Sequence, residues 1–190
     1  MEGNIMTRQE AYELLQKYNQ NSSLVKHGVA VEAVMRYFAR QYGEDEEYWG
    51  NVGLLHDLDY ELYPEEHCHK TKELLEAEGV SDDIIHAAIS HGWNICIDVE
   101  PTLPMEKVLY TIDELTGLIT AVVYMRPSKS ILDLEVKSVR KKFKTPSFAA
   151  GVNRDLILAG CSMLEMDIDT VIQWTINGMK EAATELGLAG

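Results

Sequence analysis

The chain's capacity for chemistry lies in its histidines and in one carboxylate that follows a histidine directly. Five of the six histidines fall between positions 56 and 91, and His56-Asp57 closes the apolar run Gly53-Leu54-Leu55. An imidazole nitrogen beside a carboxylate oxygen suits a divalent transition metal that takes mixed ligands, Mn, Fe, Co, Zn or Ni. Adjacent residues inside a helix point about 100° apart. The pair can therefore serve one ion only where a helix ends. The remaining pool is His27, His67, His69, His86, His91 and Asp113, the last within Tyr110-Thr111-Ile112-Asp113-Glu114-Leu115. His86 and His91 are five residues apart, a helical step of roughly 140°, so they do not share a face. Taken singly, His27 on an apolar helix reads as a core histidine, and His91 as a cation at a helix C-terminus.

The elements that must carry these groups all read as helices. Thr7-Arg8-Gln9-Glu10 is a capping box opening a helix through Tyr18. Ser22 or Ser23 caps a longer helix to about Tyr42, with Gly43 at its end and His27 in its first turns. Asp45 caps a third helix running into His56-Asp57. Glu65 to Glu78 reads as one amphipathic helix carrying His67 and His69, ended by Gly79. Ser81-Asp82-Asp83 opens the next, Ile84 to His91, ended by Gly92. Pro104 suits the first turn of a long helix to about Tyr124 that holds Asp113. Lys137, Arg140, Lys141 and Lys144 form one stripe of a further helix, broken by Thr145-Pro146. Two more follow, Asn153 to Leu164 and Asp169 to Leu186. No strand pattern or internal repeat is present. The expected architecture is all-α, one compact multi-helix bundle over 1–190, with a metal-binding core at about 22–124 and C-terminal helices 130–190 packed on it.

Composition narrows the class. Hydrophobic residues make up 46% and charged residues 25% of 190 residues, values ordinary for a globular chain of one domain. No apolar run approaches the length that spans a bilayer, and Met1-Glu2-Gly3-Asn4 lacks the start of a signal peptide. The three cysteines, Cys68, Cys96 and Cys161, are odd in number and widely spaced, which argues for reduced thiols and a cytoplasmic setting. A net charge of −14 disfavours nonspecific nucleic-acid binding and favours cation capture. Against that background, the seven bases between Arg126 and Lys144 read first as a solvated or salt-bridging face, and they are also the natural place to steer an anionic substrate, with Arg140 and Lys141 as candidate phosphate contacts.

The ordered set His27, His56-Asp57 and Asp113, with histidines between, resembles the HD-domain phosphohydrolase superfamily, whose pattern is H…HD…D on an all-helical fold. The resemblance covers about residues 22 to 124. It implies that His27, His56, Asp57 and Asp113 bind one metal. In members with two metals it implies that Asp57 bridges and that His67 and His91 hold the second ion. In a one-metal enzyme, His67 and His91 would instead bind phosphate and move protons. His67 is chosen because Leu74-Leu75 follow it as in the family's H-x-x-x-G-x-x-L-L pattern, with Thr71 in place of the glycine. Leu58-Asp59 likewise stands where the fuller signature has Ile-Gly. The implied activity is hydrolysis of a nucleotide or other small phosphate ester by a metal-activated water. The implied partner is that small phosphorylated substrate. A di-iron oxygenase and a non-catalytic nucleotide-binding module are the rival readings, and a homodimer is left open.

Overall fold

The computed structural model describes residues 6–190, so the reading of Met1–Asn4 lies outside the described residues. Helices account for the regular structure. They are α1 (Arg8–Tyr18), α2 (Ser22–Tyr42), α3 (Glu46–Leu55), α4 (His69–Ala77), α5 (Asp82–Ile89), α6 (Pro104–Met125), α7 (Val136–Phe143), α8 (Arg154–Met163), α9 (Ile168–Glu181) and α10 (Ala183–Leu186). Two single 3₁₀ turns, Pro64–Glu66 and Ser90–Gly92, join them. Among the described residues there is no strand, only isolated bridges at Trp93–Ile97 and Ser130–Ala189. The all-α bundle expected from periodicity is the observed architecture.

Local signals set most helix starts. Thr7 Oγ1 accepts from the Glu10 N–H at 3.3 Å while the Glu10 carboxylate takes the Thr7 N–H at 2.8 Å, a complete capping box. The cap of α2 is Asn21 rather than Ser22 or Ser23; its Oδ1 accepts from the Ser23 N–H at 2.8 Å. Asp45 and Asn153 cap α3 and α8 in the same way, at 2.9 and 3.0 Å. Gly43 ends α2 at φ 72°, where a side chain would be strained.

Two long helices, α2 and α6, form the centre. Val31, Val34, Met35 and Phe38 of α2 and Leu109, Ile112, Leu115, Leu118 and Ile119 of α6 are fully buried in one continuous core. Burying each large apolar side chain contributes about 1.5–3 kcal/mol before chain entropy is set against it. Helix α6 is long and apolar enough by composition to cross a membrane, contrary to the expectation that no run approaches that length. Here 61% of its apolar window is buried, with α2, α8 and α9 packed around it. Helix α3 lies close against α2. A Cβ at Gly53 would stand 3.0 Å from both Cα and N of Glu32, so only glycine admits this approach. That contact brings the end of α3 to the side of α2.

Three expected elements are corrected. The amphipathic stretch Glu65–Glu78 is not one helix: the chain turns through Pro64–Glu66, breaks at His67 and Cys68, and begins α4 only at His69. Cys68 sits at φ 67°, a left-handed conformation uncommon for a side-chain-bearing residue. Helix α5 ends at Ile89, and His91 lies in the following 3₁₀ turn. The last expected helix is two, α9 and α10, divided at Ala182.

Candidate metal centre

His27 projects from the second turn of α2, His56 and Asp57 from the turn that ends α3, and Asp113 from the middle of α6. Their donor atoms converge. His27 Nε2 lies 3.2 Å from His56 Nε2, 2.9 Å from Asp113 Oδ1 and 3.5 Å from Asp57 Oδ2. His56 Nε2 is 3.4 Å from Asp57 Oδ2 and 3.4 Å from Asp113 Oδ1. Ligands held about 2.1 Å from one ion are spaced roughly 3.0 Å apart at right angles and roughly 3.4 Å at tetrahedral angles. The observed separations span that interval.

A second group meets the other oxygen of the same aspartate. His91 Nε2 is 3.2 Å and His67 Nε2 3.4 Å from Asp57 Oδ1, and the two nitrogens are 3.1 Å apart. Asp57 thus presents Oδ2 to one donor set and Oδ1 to the other. All six residues named from sequence as metal ligands come together around it.

The tautomers explain why this arrangement calls for a cation. His56 Nδ1 is 2.7 Å from the Gly53 carbonyl and His91 Nδ1 is 2.6 Å from the Ala88 carbonyl. A carbonyl only accepts, so each Nδ1 carries a proton, and with Nε2 deprotonated each ring turns a lone pair toward the centre. His67 Nδ1 is held at 2.7 Å by Asp59 Oδ1. The paired Nε2 atoms, 3.2 Å apart in His27–His56 and 3.1 Å apart in His67–His91, need a proton or a metal ion between them. Carbonyl or carboxylate support of the far nitrogen is the usual device that aims a metal-binding histidine. The donor set could therefore hold a metal ion.

Charge at the centre points the same way. Burial disfavours ionisation of Asp57, but His56 and His91 beside it hold the carboxyl well below its usual range. Burial likewise works against Asp113, and His27 and His56 pull it down. Burial alone would lower the His56 pKa, yet Asp57 and Asp113 outweigh it and raise it well above the ordinary value. Without metal, the cluster's own histidines must carry the positive charge that its carboxylates demand.

The group opens into a cavity of about 430 Å³. Three carboxylates line it, Asp57, Asp113 and Glu114, with no lysine or arginine among the lining residues. Such a cavity repels an anion until a cation enters. A second cavity of about 260 Å³, lined by Ser22, Ser23 and Lys26, meets the first at His27 and Gly117.

Other expected residues fall elsewhere. Arg140 Nε pairs with Asp169 Oδ1 at 2.8 Å, and Lys141 is exposed; neither lines these cavities. Helix α7 buries Val139 and Phe143. That turns the basic stripe outward, and Arg140 and Lys141 are not among the residues lining this centre. His69 is exposed with Nε2 3.1 Å from the Cys96 carbonyl, and His86 pairs with Glu106 at 2.7 Å.

Sequence reasoning missed three contributors. Asp59 anchors His67; its signal was a carboxylate two places after Asp57. Lys26 adjoins His27 in the chain and faces the smaller cavity. Cys96 lines the metal cavity from a loop with no pattern to mark it.

Comparison of the chain with family models, with curated proteins and with solved structures finds no match to any of them.

Proposed function

We propose that the protein is a metal-dependent phosphohydrolase acting on a nucleotide or another small phosphate ester, of the HD-domain kind that its ordered H…HD…D set resembles. The observation that carries the reading is the division of Asp57 between two donor groups, Oδ2 toward His27, His56 and Asp113, and Oδ1 toward His67 and His91. A carboxylate shared in this way suits two ions about 3.5–4 Å apart, the spacing used to clamp a phosphoryl group. When bound, the ions supply Lewis acidity to the phosphoryl oxygens and to the attacking water.

The chain's own residues do the rest. His56 and His91 are fixed by backbone carbonyls, so their Nε2 atoms need no reorganisation on binding. Lys26, one residue before His27, faces the adjoining cavity and contacts the part of the substrate that extends past α2. Tyr60, Pro64 and Ile95 wall the mouth of the metal cavity and limit the bulk that can approach.

The test is elemental analysis of wild type and Asp57→Ala purified without chelator, followed by a phosphate-ester screen with Mn, Co or Zn. The expected result is about one or two ions per chain, lost in the variant together with ester hydrolysis. A wild type that takes up none of these metals overturns the reading. Bound iron with oxygen consumption and no hydrolysis replaces it with oxygenase chemistry on the same ligands.

A further inference from the structure

Behind His67 and His91 two cysteines from distant parts of the chain meet. Cys68 Sγ and Cys96 Sγ are 3.2 Å apart, although they are 28 residues apart in sequence. Cys68 is completely buried; Cys96 is partly exposed and lines the metal cavity. The space they occupy exists only because residue 92 has no side chain. A Cβ on Gly92 would lie 2.5 Å from Cys68 Sγ and 2.6 Å from Cys96 Sγ. Cys68 also adopts its left-handed φ of 67° here, at the break that separates His67 from α4. That conformation is held by surrounding structure rather than by local preference.

Cys68 Sγ is 3.9 Å from His91 Nε2. It groups with His67 and His91 as a third possible donor to one ion, on the side away from the oxygens of Asp57. Cys161, in α8, is buried elsewhere in the core and takes no part.

We propose that Cys68 and Cys96 are a redox-active dithiol that a peroxide converts to a reversible disulfide, and that closing it empties the His67–His91 half of the centre. The second clause rests on the metal reading above; the first does not. Cys96, reached from the cavity, attacks one oxygen of the peroxide as the thiolate. The O–O bond breaks, hydroxide leaves and is protonated to water, and Cys96 becomes a sulfenic acid. Cys68, giving up its proton, attacks the Cys96 sulfur. The S–O bond breaks, a second water leaves, and the S–S bond forms. Two thiols and one peroxide give one disulfide and two waters, with two electrons passing from sulfur to oxygen. The sulfurs must close from 3.2 Å to about 2.05 Å. Cys68 is bonded directly to His67, and the Cys96 N–H donates at 3.0 Å to the carbonyl of Gly92, which is bonded to His91, so this movement falls on both histidines of the second donor set.

The experiment treats chelated, reduced full-length protein with equimolar hydrogen peroxide and reads intact mass and peptide linkage. The expected product has lost two hydrogens, contains a Cys68–Cys96 linked peptide, and reverts with dithiothreitol. Cys96→Ser, at the more exposed position, gives no linked peptide, and Cys161→Ser behaves as wild type. Oxidation of Cys96 to the sulfinic acid without a link overturns the proposal, independently of any metal. Mn titration of the reduced and oxidised forms reads the second clause. Oxidised wild type is expected to bind one ion fewer than reduced, with Cys96→Ser indifferent to peroxide. Equal Mn content in linked and reduced protein overturns the coupling. Failure of Mn, Co and Zn to bind the reduced protein overturns the metal reading and this clause together, leaving the thiol chemistry to the mass data.

Discussion

His67 and the buried Asp59 form a pair in which Oδ1 of the carboxylate lies 2.7 Å from Nδ1 of the ring. The other oxygen accepts from the Thr71 N–H at 2.8 Å, and the Asp59 N–H donates to Thr71 Oγ1 at 3.3 Å. Asp59 and Thr71 are the two positions where the pattern that the chain resembles has glycine and this chain does not, and they bond to each other. Replacing a support of this kind weakens metal affinity about 10–100-fold. Asp59→Asn keeps the shape but loses the charge. It is expected to weaken one of two Mn binding events by that factor and leave the other near wild type, read by isothermal titration calorimetry.

The α2–α3 contact gives a second expectation. At Gly53 an added methyl meets backbone atoms of Glu32 at 3.0 Å and the Val31 carbonyl carbon at 3.1 Å. Backbone cannot swing aside as a side-chain end can, so the helices must part. Gly53→Ala is expected to cost about 1–3 kcal/mol in urea unfolding. The Gly53 carbonyl also holds His56 Nδ1, so the variant is expected to bind metal more weakly as well.

Glu106 supplies a pH dependence outside the centre. It is 1% exposed, and its carboxylate accepts from the N–H groups of Thr102 and Leu103 at 2.7 and 3.0 Å while pairing with His86. Burial pushes its pKa up, but those backbone N–H bonds and His86 outweigh it and leave the carboxyl below its usual range. A depressed folded pKa means stability that is present above the unfolded value, about 4.3, and is lost as pH falls through the folded value. Glu106→Gln is expected to cost about 1–3 kcal/mol near neutrality. The difference from wild type should shrink as pH falls below the unfolded value, about 4.3, and close only below the lowered folded value, seen in urea midpoints across pH.

Lys26 and Arg140 separate two views of how an anionic substrate is held. Lys26 faces the cavity that joins the metal cavity at His27, whereas Arg140 is paired with Asp169. With a hydrolysed phosphate ester in hand, Lys26→Ala is expected to raise KM about tenfold, the loss of one charge-assisted contact. Arg140→Ala should leave KM within about twofold. The reverse ranking would return the phosphate contact to α7.

Much of the fold was legible because local rules and packing agree. The capping box at Thr7, the Asp45 cap, Pro104 in the first turn of α6 and the apolar spacing of α2 each appear as read. The six converging residues were also legible, since their types and order survive without knowledge of distance. What escaped depends on contacts far apart in sequence. The pattern over Glu65–Glu78 is continuously amphipathic, but Asp59 grips both His67 and Thr71 and the chain breaks between them. The basic stripe on α7 was visible, yet its direction is fixed by Val139 and Phe143 entering the core. Nothing local marks Cys68 and Cys96 as neighbours.

The break at His67 gives the two donor sets unequal footing. His27 and Asp113 are built into the two longest helices, and His56 ends the helix wedged against one of them, so losing them requires the core to come apart. His67 and His91 stand on a chain break and a single 3₁₀ turn, where opening needs only local motion. On heating, the protein should therefore melt in a fixed order, the periphery of the centre loosening while its axis is still intact. Donor sets so mounted pass, on the way to the unfolded chain, through a state that keeps one and has lost the other.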